Sequence, residues 1–151
     1  MMHAKLRERF EGKIVRFVLM MLFTLGLLFA ETIPFETSYK EGMEKAIAQK
    51  KVLMVVVTQT YCPWCDKFKH KTLVDKDVVK AVNEHFVPVL LNKDKDDMPD
   101  DIRARMVPTT FFLDHEGSEV FSTIGYKHPR KFLEDIQEAV ELSHEPQGEG
   151  Q

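Results

Sequence analysis

Cysteine is scarce in this chain: Cys62 and Cys65 are the only two among 151 residues. That excludes a small domain held together by a disulfide framework. A strong excess of one charge is also missing. The formal net charge is -3, which argues against a dedicated nucleic-acid binder. No apolar run reaches the ~20 residues of a spanning helix, and charged residues make up 30% of the chain. A multi-span membrane protein is therefore excluded. No internal repeat is visible. What remains, at 44% apolar residues, has the length and composition of one globular domain.

The average hides an asymmetry. Residues 1–30 hold five basic residues against two acids, and the rest of the chain carries a net charge of -6. Phe17 to Ala30 is a run of 14 residues without a charge, preceded by basic residues and followed by Glu31. A basic flank before an apolar run of ~7–15 residues is the layout of a secretory signal. Ala30 suits the position before a cut, whereas Leu28 is large where a small residue is expected. Residues 1–30 are thus expected to be a cleaved signal peptide or an N-terminal membrane anchor. In both cases the remainder lies outside the inner membrane, in the periplasm. There, cysteines pair or do redox chemistry.

Residues 31–144 read as one α/β domain, and 145–151 as a flexible tail. Ser38 and Glu41 fit a capping box ahead of a helix running to about Gln49. Val52–Val57 is a continuous β-branched run, as in a strand buried on both faces. Pro63 suits the first position of a helix that begins at the cysteines. A further helix starts at Asp75 with Val78, Val79 and Val82 on one face. Phe86–Leu91 is a strand whose Pro88 puts it at an edge or bulge. Asn92–Asp101 holds five Asp and reads as a solvated loop entering a short helix near Pro99. It lacks the Gly and terminal Glu of a calcium loop. Thr109–Leu113 and Glu119–Ile124 form a hairpin, and Pro129 opens a last helix with Phe132, Leu133, Ile136 and Val140 apolar. The order predicts a mixed sheet, parallel first and antiparallel last, with helices on both faces.

Cys62 is placed where a strand ends and a helix begins. Free N–H groups and the helix dipole there favour an anion. A thiolate is that anion, and a lowered thiol pKa makes a cysteine nucleophilic. Cys65 stands one turn on, within reach of a mixed disulfide formed at Cys62. Cys62 is the expected nucleophile, Cys65 the resolving thiol. A structural disulfide across one turn would gain little from chain entropy. A metal centre needs about four ligands, and this pair offers two.

The strand Val52–Val57, then Cys62-Pro63-Trp64-Cys65, then Val107-Pro108-Thr109 before a strand together resemble the thioredoxin superfamily. Leu91-Asn92-Lys93-Asp94 is similar to the family's leucine–asparagine–x–aspartate turn. The resemblance spans roughly residues 35–143. It implies a three-layer α/β/α sandwich with a mixed central sheet and a cis Pro108 beside the cysteine pair. It also implies a substrate chain laid along the backbone of Val107, with Trp64 exposed to partners. Two departures stand out. The family's buried Asp is replaced by Val56 and its Lys before the turn by Leu90. The proton acceptor for Cys65 therefore does not follow from the resemblance.

Only 43 positions separate Cys65 from Pro108, which leaves no room for the helical insertion of DsbA-type oxidases. The 121 residues after Ala30 leave none for the dimerisation domain of DsbC-type isomerases. The expected function is a monomeric periplasmic reductase of disulfides in exported client proteins. It is fed by a DsbD- or CcdA-type membrane donor, with no cofactor, metal or nucleic acid. Two alternatives stand beside it: a disulfide oxidase or isomerase of the same fold, and a Cu(I) metallochaperone. The latter would use the two thiolates, with His70 approaching the helix face and Met98 or Met106 as a soft sulfur donor. Lys67, Lys69 and Lys71 read as a solvated helix face or as a steering charge for an acidic partner.

Overall fold

The computed structural model describes residues 31–144. The expected leader, 1–30, and tail, 145–151, lie outside the described residues. Four strands, β1 (Val52–Thr58), β2 (Phe86–Asn92), β3 (Thr109–Leu113) and β4 (Glu119–Ile124), form one sheet in the order β2-β1-β3-β4. β1 pairs with β2 in parallel, and the β1–β3 and β3–β4 pairs are antiparallel. The sheet is mixed, as the sequence order implies. The helices are α1 (Tyr39–Gln49), α2 (Pro63–Lys67), α3 (Lys76–His85) and α4 (Pro129–His144). α2 runs on into a π-helical turn, Phe68–Thr72.

Alternation along β1 explains the three layers. Met54 and Val56 face a cluster with Phe68, Val78, Val82, Phe112, Phe132 and Ile136, so α2, α3 and α4 cover that side. Leu53, Val55 and Val57 face the other side, against Ala46 of α1 and Ile102 of the loop before β3. A strand buried on both faces needs apolar residues at every position, which is why Val52–Val57 does not alternate.

Local signals account for the ends of the elements. Ser38 Oγ accepts the Glu41 N–H at 3.5 Å and starts α1. Asp75 Oδ1 accepts the N–H groups of Asp77 and Val78 and starts α3. Pro88 sits on edge strand β2, as expected. Its carbonyl turns outward to accept the Glu36 N–H at 2.9 Å, so its missing N–H faces away from β1 and costs the ladder nothing. Asp114 Oδ1 accepts from Glu116 and Ser118 and shapes the hairpin, with Gly117 at φ 85°.

One expectation fails. No short helix forms near Pro99; residues 93–108 are a loop with two turns, one closed by the Lys95 and Asp96 N–H groups on the Asn92 carbonyl at 2.9 Å and one by the Ile102 N–H on the Pro99 carbonyl at 3.0 Å. The reason is local competition. Asn92 Oδ1 accepts the Asp94 N–H at 3.0 Å, and Asp96 Oδ2 accepts the Asn92 N–H at 2.6 Å. Side chains that satisfy nearby backbone donors favour turns over helix. Ile102 then anchors the loop by burying itself under the sheet. Among the described residues, no helix is long and apolar enough to cross a membrane.

Candidate functional site

Chain direction places the two cysteines. β1 leaves the sheet at Thr58, and the chain turns through Tyr61 at φ 55° before α2 begins. Cys62 is the N-cap of α2 and Pro63 its first residue. Proline fits there because the missing N–H would have had no helical partner. The Cys65 N–H points at Cys62 Sγ, 3.1 Å away. Cys62 is half-buried and Cys65 is buried. Their sulfurs are joined as a disulfide, with the Cα atoms 5.2 Å apart.

The turn before Cys62 is tied to the loop after β2. The Thr60 N–H donates to Asp94 Oδ2 at 3.0 Å, and Asn92 Nδ2 donates to Thr60 Oγ1 at 3.3 Å. The Lys93 N–H donates to the Thr58 carbonyl at 3.0 Å. The Leu-Asn-Lys-Asp turn thus acts as a clamp on the chain entering the cysteine pair.

Val107 and Pro108, distant in sequence, arrive at the same place. The Val107 carbonyl oxygen lies 4.0 Å from Cys62 Sγ. The Val107–Pro108 peptide is cis. The Pro108 carbonyl accepts the Gly125 N–H at 2.7 Å, which ties the start of β3 to the end of β4. Trp64 is 58% exposed on the same rim. All five residues singled out from the sequence are therefore brought to one end of the sheet.

The proton-handling positions are hydrocarbon. Val56 is fully buried among apolar side chains, and Leu90 is half-buried. Asp66 pairs with Lys69 at 2.9 Å on the exposed face of the helix.

Two site residues escape a reading of the sequence. Tyr61 is 98% exposed beside Cys62. Tyr126, after β4, places its ring 5.8 Å from that of Trp64, with Lys67 Nζ over both rings. An aromatic in a short loop has no periodicity to betray it. The positive φ of Gly125, 85°, is the nearest hint of a turn there.

Residues 39–139 match the family described as thioredoxin-like domain. The chain belongs to that family. Among solved structures, the DsbH oxidoreductase is 19% identical, with a TM-score of 0.61, covering 75% of this chain and 88% of that one. A thioredoxin from Thermus thermophilus is 22% identical, with a TM-score of 0.62, covering 72% and 88% respectively. A putative disulphide-isomerase from Bacteroides thetaiotaomicron is 23% identical, with a TM-score of 0.62, covering 81% and 99%. No curated protein matches significantly. Family membership and a cysteine pair at bonding distance make this thioredoxin-like protein a thiol–disulfide oxidoreductase in the broad sense.

Proposed function

We propose that the protein is an exported, periplasmic reductase of client-protein disulfides, with Cys62 as nucleophile and Cys65 as resolving thiol. The observation that carries this is the asymmetry of the pair. Cys62 is the more exposed residue of the two, its Sγ capped by the Cys65 N–H, while Cys65 lies buried one turn behind it.

In the reduced protein the Cys62 thiolate attacks one sulfur of a client disulfide. The client's other sulfur leaves as a thiolate and takes a proton from solvent. The Cys65 thiol loses its proton and attacks Cys62 Sγ. This breaks the mixed disulfide, frees the second client thiol and leaves the Cys62–Cys65 disulfide. Two electrons have passed to the client. A membrane dithiol donor of the DsbD or CcdA type restores them. The N–H aimed at Cys62 Sγ and the helix start both favour the thiolate. The backbone of Val107 and the cis Pro108 offer an edge along which an extended client chain can lie, and Trp64 supplies an exposed contact. The domain acts as a monomer, and residues 1–30 serve as its signal or anchor.

Trapping tests the assignment. Cys65→Ser is expected to accumulate mixed disulfides through Cys62 in the native compartment, and Cys62→Ala to abolish disulfide reduction. Full reductase activity in Cys62→Ala overturns the nucleophile. A reduction potential near that of DsbA, about -120 mV, overturns the reducing direction.

A further inference from the structure

Charge is distributed unevenly around this site. Residues 66–71 and 127–131 together hold six basic residues and one acid, Asp66, whereas the rest of 31–144 holds ten basic residues against 19 acids. Packing joins the two basic stretches into one face. The Thr72 hydroxyl donates to the Lys127 carbonyl at 2.5 Å, and Phe68 meets Phe132 edge-on at 5.0 Å. Lys67 Nζ lies 5.1 Å from the Trp64 ring centre and 4.7 Å from that of Tyr126. Lys69 is neutralised by Asp66, and Lys131 by Glu134 and Asp135. Among the described residues, Lys67, Lys71, Lys127 and Arg130 make no ion pair.

We infer that this face docks an acidic, extended polypeptide segment adjoining the client's target disulfide. The inference rests on the reductase reading and names its client class. Lys67, held over the Trp64 and Tyr126 rings, and the cations Lys71, Lys127 and Arg130 of the two joined stretches take its carboxylates, and the exposed part of Trp64 takes an apolar side chain. The domain as a whole is acidic and would repel such a partner at long range. Charges farther apart than ~8 Å are largely screened at physiological salt, so the local face decides. The loop holding Asp94, Asp96 and Asp97, tied to the turn before Cys62 through the Thr60 N–H on Asp94 Oδ2, is acidic, which gives the docked segment one direction. A polypeptide is favoured over an anionic lipid surface because the face borders a cysteine pair whose exchange chemistry acts on a disulfide, which a polypeptide can carry and a lipid surface does not.

The chain has a single tryptophan, Trp64, so its fluorescence reports on this face alone. The full-length oxidised protein is titrated with two cysteine-free peptides of equal length, one acidic and one basic, at low and high salt. Phosphatidylglycerol vesicles form a third arm. The acidic peptide is expected to bind about tenfold more tightly than the basic one and to weaken steeply with salt. Lys127→Glu/Arg130→Glu is expected to abolish that preference and Lys95→Glu, on the acidic loop, to leave it. Both variants should still reduce the neutral hydroxyethyl disulfide. Equal binding of the two peptides, an unchanged preference in Lys127→Glu/Arg130→Glu, or binding to vesicles without binding to the acidic peptide overturns the inference. Peptide binding without turnover of any disulfide supports the docking face and overturns the reductase reading instead.

Discussion

Gly42 lies in the middle of α1, where glycine is ordinarily a defect. Replacing an exposed helical glycine with alanine stabilises by about 1 kcal/mol through backbone entropy. Here the sign is expected to reverse. A Cβ at position 42 would overlap Val89 Cγ2 and would lie 3.2 Å from Leu53 Cδ1 and 3.7 Å from Val89 Cβ. Carbon atoms pack best at about 3.5–4.0 Å, so something must move. Val89 is fully buried on β2 and β-branched, which leaves its side chain few rotamers. Its strand is held on both edges, by β1 and by the Glu36 bridge that brackets Val89. The helix must therefore lift off the sheet. Overpacking of this kind costs about 1–3 kcal/mol. With Val89 fixed and Leu53 crowded, the upper half of that range applies, and the helix-propensity gain offsets about 1 kcal/mol of it. The net expectation for Gly42→Ala is a loss of about 1–2 kcal/mol, read by urea unfolding followed through far-UV circular dichroism. Val89→Ala removes the obstructing methyl groups. The double variant is thus expected to be less destabilised than the sum of the two single changes, by about 1 kcal/mol. A Gly42→Ala protein more stable than the parent would refute the close approach of α1 to β2, and additivity in the double variant would refute its assignment to Val89.

The remaining predictions concern other contacts. Asp135 is buried and accepts the Thr123 hydroxyl at 2.9 Å, so Thr123→Val should destabilise the domain by about 1.5–3 kcal/mol in denaturant titrations. Asp75→Ala removes the cap of α3 and should cost about 1 kcal/mol, whereas Asp75→Ser should recover most of it. Burial first, and the Asp101 carboxylate second, hold the Tyr39 phenol above its ordinary value of 10.0. The folded state therefore keeps that proton longer than the unfolded chain. The stability this group contributes is complete below pH 10 and is lost as pH rises through the folded value. Tyr39→Phe should flatten that alkaline decline in thermal melts, and an unchanged slope would show that Tyr39 is not its source.

Much of this architecture was legible because its signals are local. A β-branched run announced β1, Ser38 and Asp75 announced two helix starts, and Pro88 announced an edge strand. Each reports a preference carried by a few neighbouring residues. The expected helix near Pro99 failed because the Asn92 and Asp96 side chains hold backbone N–H groups in turns at the start of that loop, and sequence period does not register that competition. Tyr126 and the basic stretch 127–131 were invisible as site residues for another reason. They stand far from the cysteines in the chain, and only the packing of Phe132 on Phe68 brings them alongside.

The sequence alone determined the chemistry: two cysteines one turn apart after a buried strand, with a proline at the helix start and no other thiol to compete. Side-chain type and short spacing suffice for that, because a helical turn is set by backbone geometry within four residues. The tertiary structure alone decided which cysteine is the more exposed and which is buried. It also set Val107 and Pro108 against Cys62 and turned scattered lysines and aromatics into one face. Those are properties of long-range packing around the sheet, where burial depends on residues tens of positions away.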